Sequence, residues 1–332
     1  MMGYRAFLLT VFTLLILVAL RFITEAEPIG FITPQFVTFV MFYVALGLAF
    51  NIFIGMTGYV DFGYVAFMAL GSYAMASAIN RASSLSLPGY GAIILGLVET
   101  IVLTFILALI VGGIALRLRG AYFAIATISV NEGLRFLVDG LDIWGGSAGI
   151  YVSGPLIRLV GHEAYSFIAL IVSDLLLYAT AFIALIITFV YLNSRIGYAL
   201  KAIREDEDAA KVMGVNTTFY KVLAFSTSGI LGGLIGASWA LKLAAVYPPE
   251  AFNIFYTVEA IVIVMLGGAG TFLGPIVGGA VYGGLKYVLS GYIPGYQLLI
   301  FAPILIAIIV MVPQGVIGFL RERSERLREF IA

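Results

Sequence analysis

The sequence is dominated by apolar stretches of about twenty residues, the length at which a helix crosses a hydrocarbon layer of roughly 30 Å. Cut at turn residues, it yields ten of them, at about 6–23, 37–56, 60–79, 92–116, 121–138, 165–192, 221–243, 253–268, 272–290 and 297–319. Those starting at 60, 121 and 253 are the weakest, because Asp61, Glu132 and Glu259 fall inside them, and each such charge costs about 2.5–3.5 kcal/mol on insertion scales. Composition rules out a water-soluble reading: of 332 residues 62% are hydrophobic and 11% charged, with mean hydropathy +1.10. Eighteen basic and eighteen acidic side chains cannot cover a globule of this size without large apolar patches. The expectation is an all-α, polytopic membrane protein of about ten transmembrane helices, some short or broken, forming one domain over 1–332 with a tail at 320–332.

The net charge is zero and no long basic run occurs, so the chain lacks the phosphate-neutralising footprint of nucleic-acid binders. No cysteine is present and His162 is the single histidine, which excludes disulfide frameworks, HExxH zincins and most histidine-based metal sites or triads. The first stretch follows Arg5 and precedes Thr24-Glu25-Ala26. It is long for a signal h-region and its cleavage site is poor, so a retained helix is expected. Basic residues sort by loop: Arg117 and Arg119 in one, Arg195, Lys201, Arg204, Lys211 and Lys221 in another, and Arg321, Arg323, Arg326 and Arg328 in the tail. The positive-inside rule makes these sides cytoplasmic, and span parity then puts both termini inside. The opposite loops, 24–36, 80–91, 139–164, 244–252 and 291–296, hold few basic residues.

Glycines cluster at Gly55, Gly58, Gly63 and Gly71, and again from Gly267 and Gly268 to Gly284. One reading is close helix packing. The other is unwinding at 58–63 and 267–275, tolerated at membrane depth only where backbone is buried in protein or lines a cavity. An intramembrane pathway would use both. Asn51, Gly58, Asp61, Gly63, Gly267 and Gly268 are therefore candidate pathway residues, with Asp61 placed to hold the ammonium of a zwitterion. Glu132 and Arg135 stand three apart on one helix face and serve either packing or the pathway. Glu259 and Glu99 have no partner nearby in sequence; unpaired intramembrane carboxylates usually face a bundle interior or water, and Glu259 is a further candidate pathway residue.

The one long polar segment is 194–221, SRIGYALKAIREDEDAAKVMGVNTTFYK. Glu205, Asp206, Glu207 and Asp208 lead a short helix-forming run, Lys211 closes it and Gly214 follows as a C′ residue. That polarity suits the helix macrodipole, and Asn216 is placed to cap the next helix. Such a helix, with Ala209, Ala210, Val212 and Met213 as its apolar side, fits a partner's groove; a solvated loop of mixed charge is the plainer alternative. No Gly-Lys-Ser/Thr follows a glycine-rich loop, so ATP would be bound by another chain. Asp139 and Asp142 form a lone Asp-x-x-Asp, short of the paired acidic motifs of a prenyl transferase.

Four blocks of this sequence resemble the larger permease subunit of branched-chain amino acid ABC importers, in the wider group of urea and ribose-type permeases. They are FNIFIGMTGYVDFGYVAFMALGSYAMA (50–76), RLRGAYFAIATISVNEGLRFLV (117–138) with the Gly-Gly-x-x-Gly-Ile loop after it, the polar segment, and EAIVIVMLGGAGTFLGPIVGG (259–279). Tyr59, Asp61 and Tyr64 stand where the family commonly has Gln, Ser and His. The resemblance implies a type II importer-like permease with its pathway at a two-subunit interface. It also implies that Glu207, Ala209, Ala210 and Gly214, with Glu205 and Asp206 before them, form a coupling helix that engages an ATPase. Asp208 between the glutamate and the alanines, and the absent Ile-x-Leu-Pro, depart from the wider pattern.

The implied partners are a second permease (a sister chain or a copy), two ATPase subunits, an extracytoplasmic substrate-binding protein and the bilayer of a prokaryotic cytoplasmic membrane. This chain would need no cofactor, with ATP and Mg on the partner subunits, and would perform no covalent chemistry. Its cargo would be branched-chain or other hydrophobic amino acids; a urea, amide or other small-solute permease is the alternative. An ion-coupled transporter or channel using Glu99, Glu132 and Glu259 is the rival from another class.

Overall fold

The structure, a computed structural model, describes residues 2–26, 32–85, 88–292, 303 and 315–323. The chain folds into two compact units, one of Met1–Met56, Ala181–Tyr198 and Glu259–Ala332, the other of Thr57–Thr180 and Ala199–Val258. Six helical stretches among the described residues are long and apolar enough to cross a membrane. Three further helices occupy expected positions with a less apolar sequence. The expected span at 297–319 and the tail at 320–332 lie largely outside the described residues.

The first unit contains α1 (Met2–Ala26), α2 (Pro34–Asn51) and the four-residue α3 (Ile54–Thr57), which runs across its boundary. Thr33 caps α2 by accepting the Phe36 N–H at 3.2 Å, and Pro34 occupies the first turn, where its missing N–H costs nothing. Later in the chain α14 (Gly274–Tyr292) lies against α2. Gly279 and Gly283 set the approach: a Cβ at Gly279 would meet Val44 Cα at 2.6 Å, and one at Gly283 would meet Val40 Cα at 3.1 Å. Small residues four apart thus let two backbones touch.

The second unit is built on α4 (Val65–Ser84), α5 (Gly89–Ala115) and the later α11 (Thr217–Ala240). Along α5 most buried positions are small, among them Ala92, Gly96, Thr100, Thr104, Ala108, Gly112 and Ala115, with Ile93 and Val111 as the larger exceptions, while Ile94, Val98, Ile101, Phe105 and Leu109 are exposed. Predominantly small residues against protein and large apolar ones outward is the arrangement lipid demands when lipid is as apolar as leucine. A further glycine cluster, in α11, completes the core. A Cβ at Gly71 of α4 would collide with the Gly233 carbonyl, and one at Gly236 with the Met68 carbonyl. Ser72 uses the closeness to donate to the Gly236 carbonyl at 2.9 Å.

The second unit also holds α6 (Ala121–Gly140), α7 (Ser153–Phe167), α10 (Glu207–Val212) and α12 (Pro248–Ala251), the first unit holds α15 (Gly315–Arg323), and α8 (Ser173–Leu192), α9 (Arg195–Glu205) and α13 (Phe255–Gly267) contribute to both. The boundary between the units falls within α8, α9 and α13. Helix begins at 153, well before the expected start of the sixth span at 165; Gly161, at φ 82°, interrupts it and a π-turn at Ile168–Val172 joins α7 to α8. Lys242 explains the turn: it donates to the Ala169 carbonyl at 3.1 Å and pairs with Asp174 at 2.8 Å, satisfying groups the widened turn frees. Two-residue strands, β1 (Ile150–Tyr151) and β2 (Ala245–Val246), pair antiparallel and tie the neighbouring loops.

The packing predicts opposite outcomes for two glycines. Gly71→Ala forces backbone apart and should lower stability by about 1–3 kcal/mol. Gly113→Ala, with nothing within 4 Å of the added Cβ, should leave it unchanged or raise it by about 0.5–1 kcal/mol. Thermal denaturation of both variants in detergent is the check.

Candidate functional site

The polar segment folds as two helices separated by a cap. Asp206 is extended, and its Oδ1 accepts the N–H groups of Asp208 and Ala209 at 2.9 and 3.0 Å, opening α10. At the other end Gly214 takes φ 87°, its N–H reaching the Lys211 carbonyl and the Val215 N–H the Ala210 carbonyl, both at 3.0 Å. This is the Schellman closure, and its left-handed residue is glycine because a Cβ is penalised there. Asn216 then caps α11 through the Phe219 N–H at 3.1 Å.

So held, α10 turns Glu207 inward. Its Oε1 accepts from Lys221 at 2.9 Å, Lys211 at 2.9 Å and Thr217 at 3.3 Å, while the Tyr59 phenol donates to Oε2. Lys221, 2% exposed, also donates to the Leu116 carbonyl at 2.9 Å and the Tyr59 oxygen at 3.2 Å, with its ammonium 4.6 Å from the Tyr59 ring centre. Arg119 forks onto Asp208 with bonds of 2.8 and 2.6 Å, the bidentate form that guanidinium geometry favours. Ala210 is buried, Glu205, Asp206 and Ala209 are exposed, and Val212 and Met213 are 87% and 83% exposed. A cavity of about 600 Å³ opens beside this cluster, lined by Gly58, Tyr59, Val60 and Phe62 on one side and by Arg119, Ile203, Arg204 and Glu207 on others.

These contacts fix the local titration. Burial acts to raise the Glu207 carboxyl, but the donors Tyr59, Lys211 and Lys221 outweigh it and hold it at about 2. Asp208 is lowered by the Arg119 bonds, and Arg119 is raised by the same pair. Burial and then the bond to Glu207 push the Tyr59 phenol upward.

Residues 58–64 are not helical. Gly58 turns the chain at φ 74°, and the freed N–H groups find side chains: Tyr59 on Thr57 Oγ1 at 3.2 Å, Phe62 on Thr127 Oγ1 at 3.1 Å, Gly63 on Asp61 Oδ1 at 2.8 Å and Val65 on Thr257 Oγ1 at 2.9 Å. Gly63 lies against the Thr127 carbonyl too closely for a Cβ. Asp61 is buried, and its Oδ2 has no hydrogen-bond partner among the described residues. In the first unit the corresponding break is 268–273. Asn51 clamps it, donating to the Thr271 carbonyl at 3.2 Å and accepting the Gly270 N–H at 2.8 Å; Gly268 turns at φ 118° and Gly267 abuts Gly274.

The remaining candidates sit apart from these clusters. Glu132 and Arg135 pair at 2.9 Å on α6, about a third exposed. Glu259, without a partner nearby in sequence, pairs with Lys286 of α14, which also donates to the Tyr43 hydroxyl at 2.8 Å; Glu99 pairs with Arg81. The sequence marks Tyr59 only as a departure from the family pattern and Arg119 and Lys221 only as loop cations, and does not single out Lys286; no spacing joins the first three to Glu207 or the last to Glu259.

A family model described as "Branched-chain amino acid transport system / permease component" matches residues 32–309. The chain is 28% identical to the high-affinity branched-chain amino acid transport system permease protein LivM of Salmonella typhimurium, over 92% of this chain and 75% of that one. It is 27% identical to the LivM protein of Escherichia coli over the same shares, and 22% identical to the permease protein LivH of Escherichia coli over 83% of this chain and 91% of that one. No solved structure matches.

Glu207 yields a pH prediction. Its folded value near 2 lies below the ordinary 4.5, so on acidification the unfolded chain takes up the proton first. The stability it contributes is complete above about 4.5 and is lost as the pH falls toward 2. Thermal midpoints measured from neutral pH to about pH 3 should fall on the acid side, and Glu207→Gln should start lower at neutral pH and fall less.

Proposed function

Because the chain belongs to the family of permease components of branched-chain amino acid transport systems, we propose that it is a membrane-spanning subunit of an ATP-driven importer of branched-chain or other hydrophobic amino acids. The observation that carries the reading is the build of α10. Its inward side is fixed by Glu207 and Ala210, its ends are closed by Asp206 and Gly214, and Val212 and Met213 project outward at 87% and 83% exposure. A stiff protruding helix with two apolar side chains at its tip suits an ATPase groove. With no Gly-Lys-Ser/Thr phosphate loop in the sequence, two partner ATPases supply the nucleotide chemistry and this chain supplies the moving part.

The basic loops support a reading with α10 on the cytoplasmic side of a prokaryotic cytoplasmic membrane and both termini inside. A binding protein delivers cargo from the other side. A sister permease completes the pathway, a pairing supported by the likeness of this chain to two differently named permeases of one organism. Asp61, in the broken segment 58–64, contributes the acceptor for the cargo's ammonium. The rival, ion-coupled reading gains nothing from the acids it needs. Glu99, Glu132 and Glu259 each pair with a basic side chain, which offsets the negative charge that would attract a cation.

Two measurements test the proposal. Val212→Asp and Met213→Asp should abolish copurification with the cognate ATPases while leaving the thermal midpoint of the isolated chain unchanged; retained copurification of both sinks the docking role. Uptake driven by an ion gradient, with the purified chain alone in liposomes, would instead favour the rival. Asp61→Asn should cut leucine uptake by the complete complex about tenfold, the loss of one charge-assisted bond, and normal uptake removes Asp61 from the path.

A further inference from the structure

Between α10 and the broken segment at 58–64 there is a hole. The cavity of about 600 Å³ has Val60 and Phe62 of the break on one wall and Ile203, Arg204 and Glu207 on another. Close-packed side chains transmit displacement because they cannot be compressed; an open cavity does not. Whatever passes from the docking helix to the break on this side must cross by a directed contact. Such a contact is present: the Tyr59 phenol donates to Glu207 Oε2.

Both ends of that contact are fitted for the task. Glu207 is fixed to its own short helix by Lys211, four residues on, and that helix is closed at both termini, so it moves as one body. Tyr59 is anchored in the break, its N–H on Thr57 and its neighbour Gly58 turned at φ 74°, a conformation in which rotation is least hindered for glycine. Two residues further lies Asp61, whose Oδ1 sets the turn at Gly63. A pull on the phenol therefore bears on the turn that orients Asp61. The Thr217 tie of Glu207 leads into α11, and Lys221 continues both to the Leu116 carbonyl at the end of α5 and to the Tyr59 oxygen at 3.2 Å. Direct or by way of Lys221, the contacts of Glu207 with the break thus converge on the Tyr59 phenol.

We propose that the Tyr59–Glu207 hydrogen bond is the link by which displacement of α10 reaches the 58–64 break, making Tyr59 a positioning residue for transport that lies outside the ATPase dock. This rests on the reading of α10 as the ATPase contact. Breaking the bond should leave assembly and nucleotide hydrolysis in place and separate them from cargo movement.

The test uses the complete complex with its ATPases and binding protein in proteoliposomes. Tyr59→Phe should copurify with the ATPases as the parent does and lower leucine moved per ATP hydrolysed by about tenfold, the factor a hydrogen bond to a charged group commands. A second readout follows the break directly. The sequence contains no cysteine, so bimane attached at Val60→Cys of this chain before it is assembled with its partners reports the break alone. Its emission should shift when vanadate traps the ATPases, and the shift should vanish when Tyr59→Phe is added. An unchanged ratio of leucine to ATP in Tyr59→Phe, or a bimane signal that ignores vanadate with Tyr59 intact, overturns the link. Failure of the parent chain to copurify with any ATPase overturns both the link and the reading beneath it.

Discussion

An interrupted helix inside a bilayer must find a partner for every N–H and C=O group that the interruption frees, because lipid supplies none. Much of this structure is arranged to meet that demand. The 58–64 break draws on Thr57, Asp61, Thr127 and Thr257, and the 268–273 break on Asn51 and Thr271, whose hydroxyl donates to the Gly268 carbonyl and accepts the Gly274 N–H. The π-turn at Ile168–Val172 draws on Lys242. In each case a polar side chain substitutes for the missing helical bond. These residues would be expensive in a plain span, and their position beside a break removes the expense.

Glycine serves the same constraint from the steric side. At Gly71, Gly236 and Gly279 it brings backbones close enough for dense contact, which replaces the hydrophobic driving force that is absent between helices in lipid. At Gly58, Gly214 and Gly268 it supplies a left-handed turn. The two readings of the glycine clusters, close packing and unwinding, are both realised, at different residues within the same clusters. The cluster in α11 shows the packing role alone, since α11 runs unbroken from Thr217 to Ala240.

What was legible in the sequence was local or periodic. Apolar stretches locate most of the helices, the cap residues Asp206, Gly214 and Asn216 mark the turns around α10, and four sequence blocks identify the family whose model matches 32–309. The start of helix at 153 was hidden because 139–164 is rich in glycine and carries charges, although the chain there folds into short helical turns. Pairings between distant residues were not legible. Tyr59 and Glu207 are 148 residues apart and Glu259 and Lys286 are 27 apart, and no spacing rule connects them. Glu259 looked unpartnered because helical periodicity reveals partners three or four residues away, whereas its cation arrives on another helix.

The acidic front of α10 has a different meaning once its partners are known. A helix of six residues is far below the length at which helices persist alone, so it exists only through what fixes its ends and flank. Asp206 is used by the N-terminal cap, Asp208 by the Arg119 fork and Glu207 by the buried ammonium of Lys221. Three of the four consecutive acids are thus engaged within the chain, while Glu205 stays exposed, as do the apolar Val212 and Met213. Charge builds and orients the knob; Val212 and Met213 give it a surface to present. That division follows from the energetics: the charged contacts are intramolecular, pre-formed and partly desolvated, so they persist whether or not a partner is bound, whereas an exposed apolar tip gains only when another surface covers it.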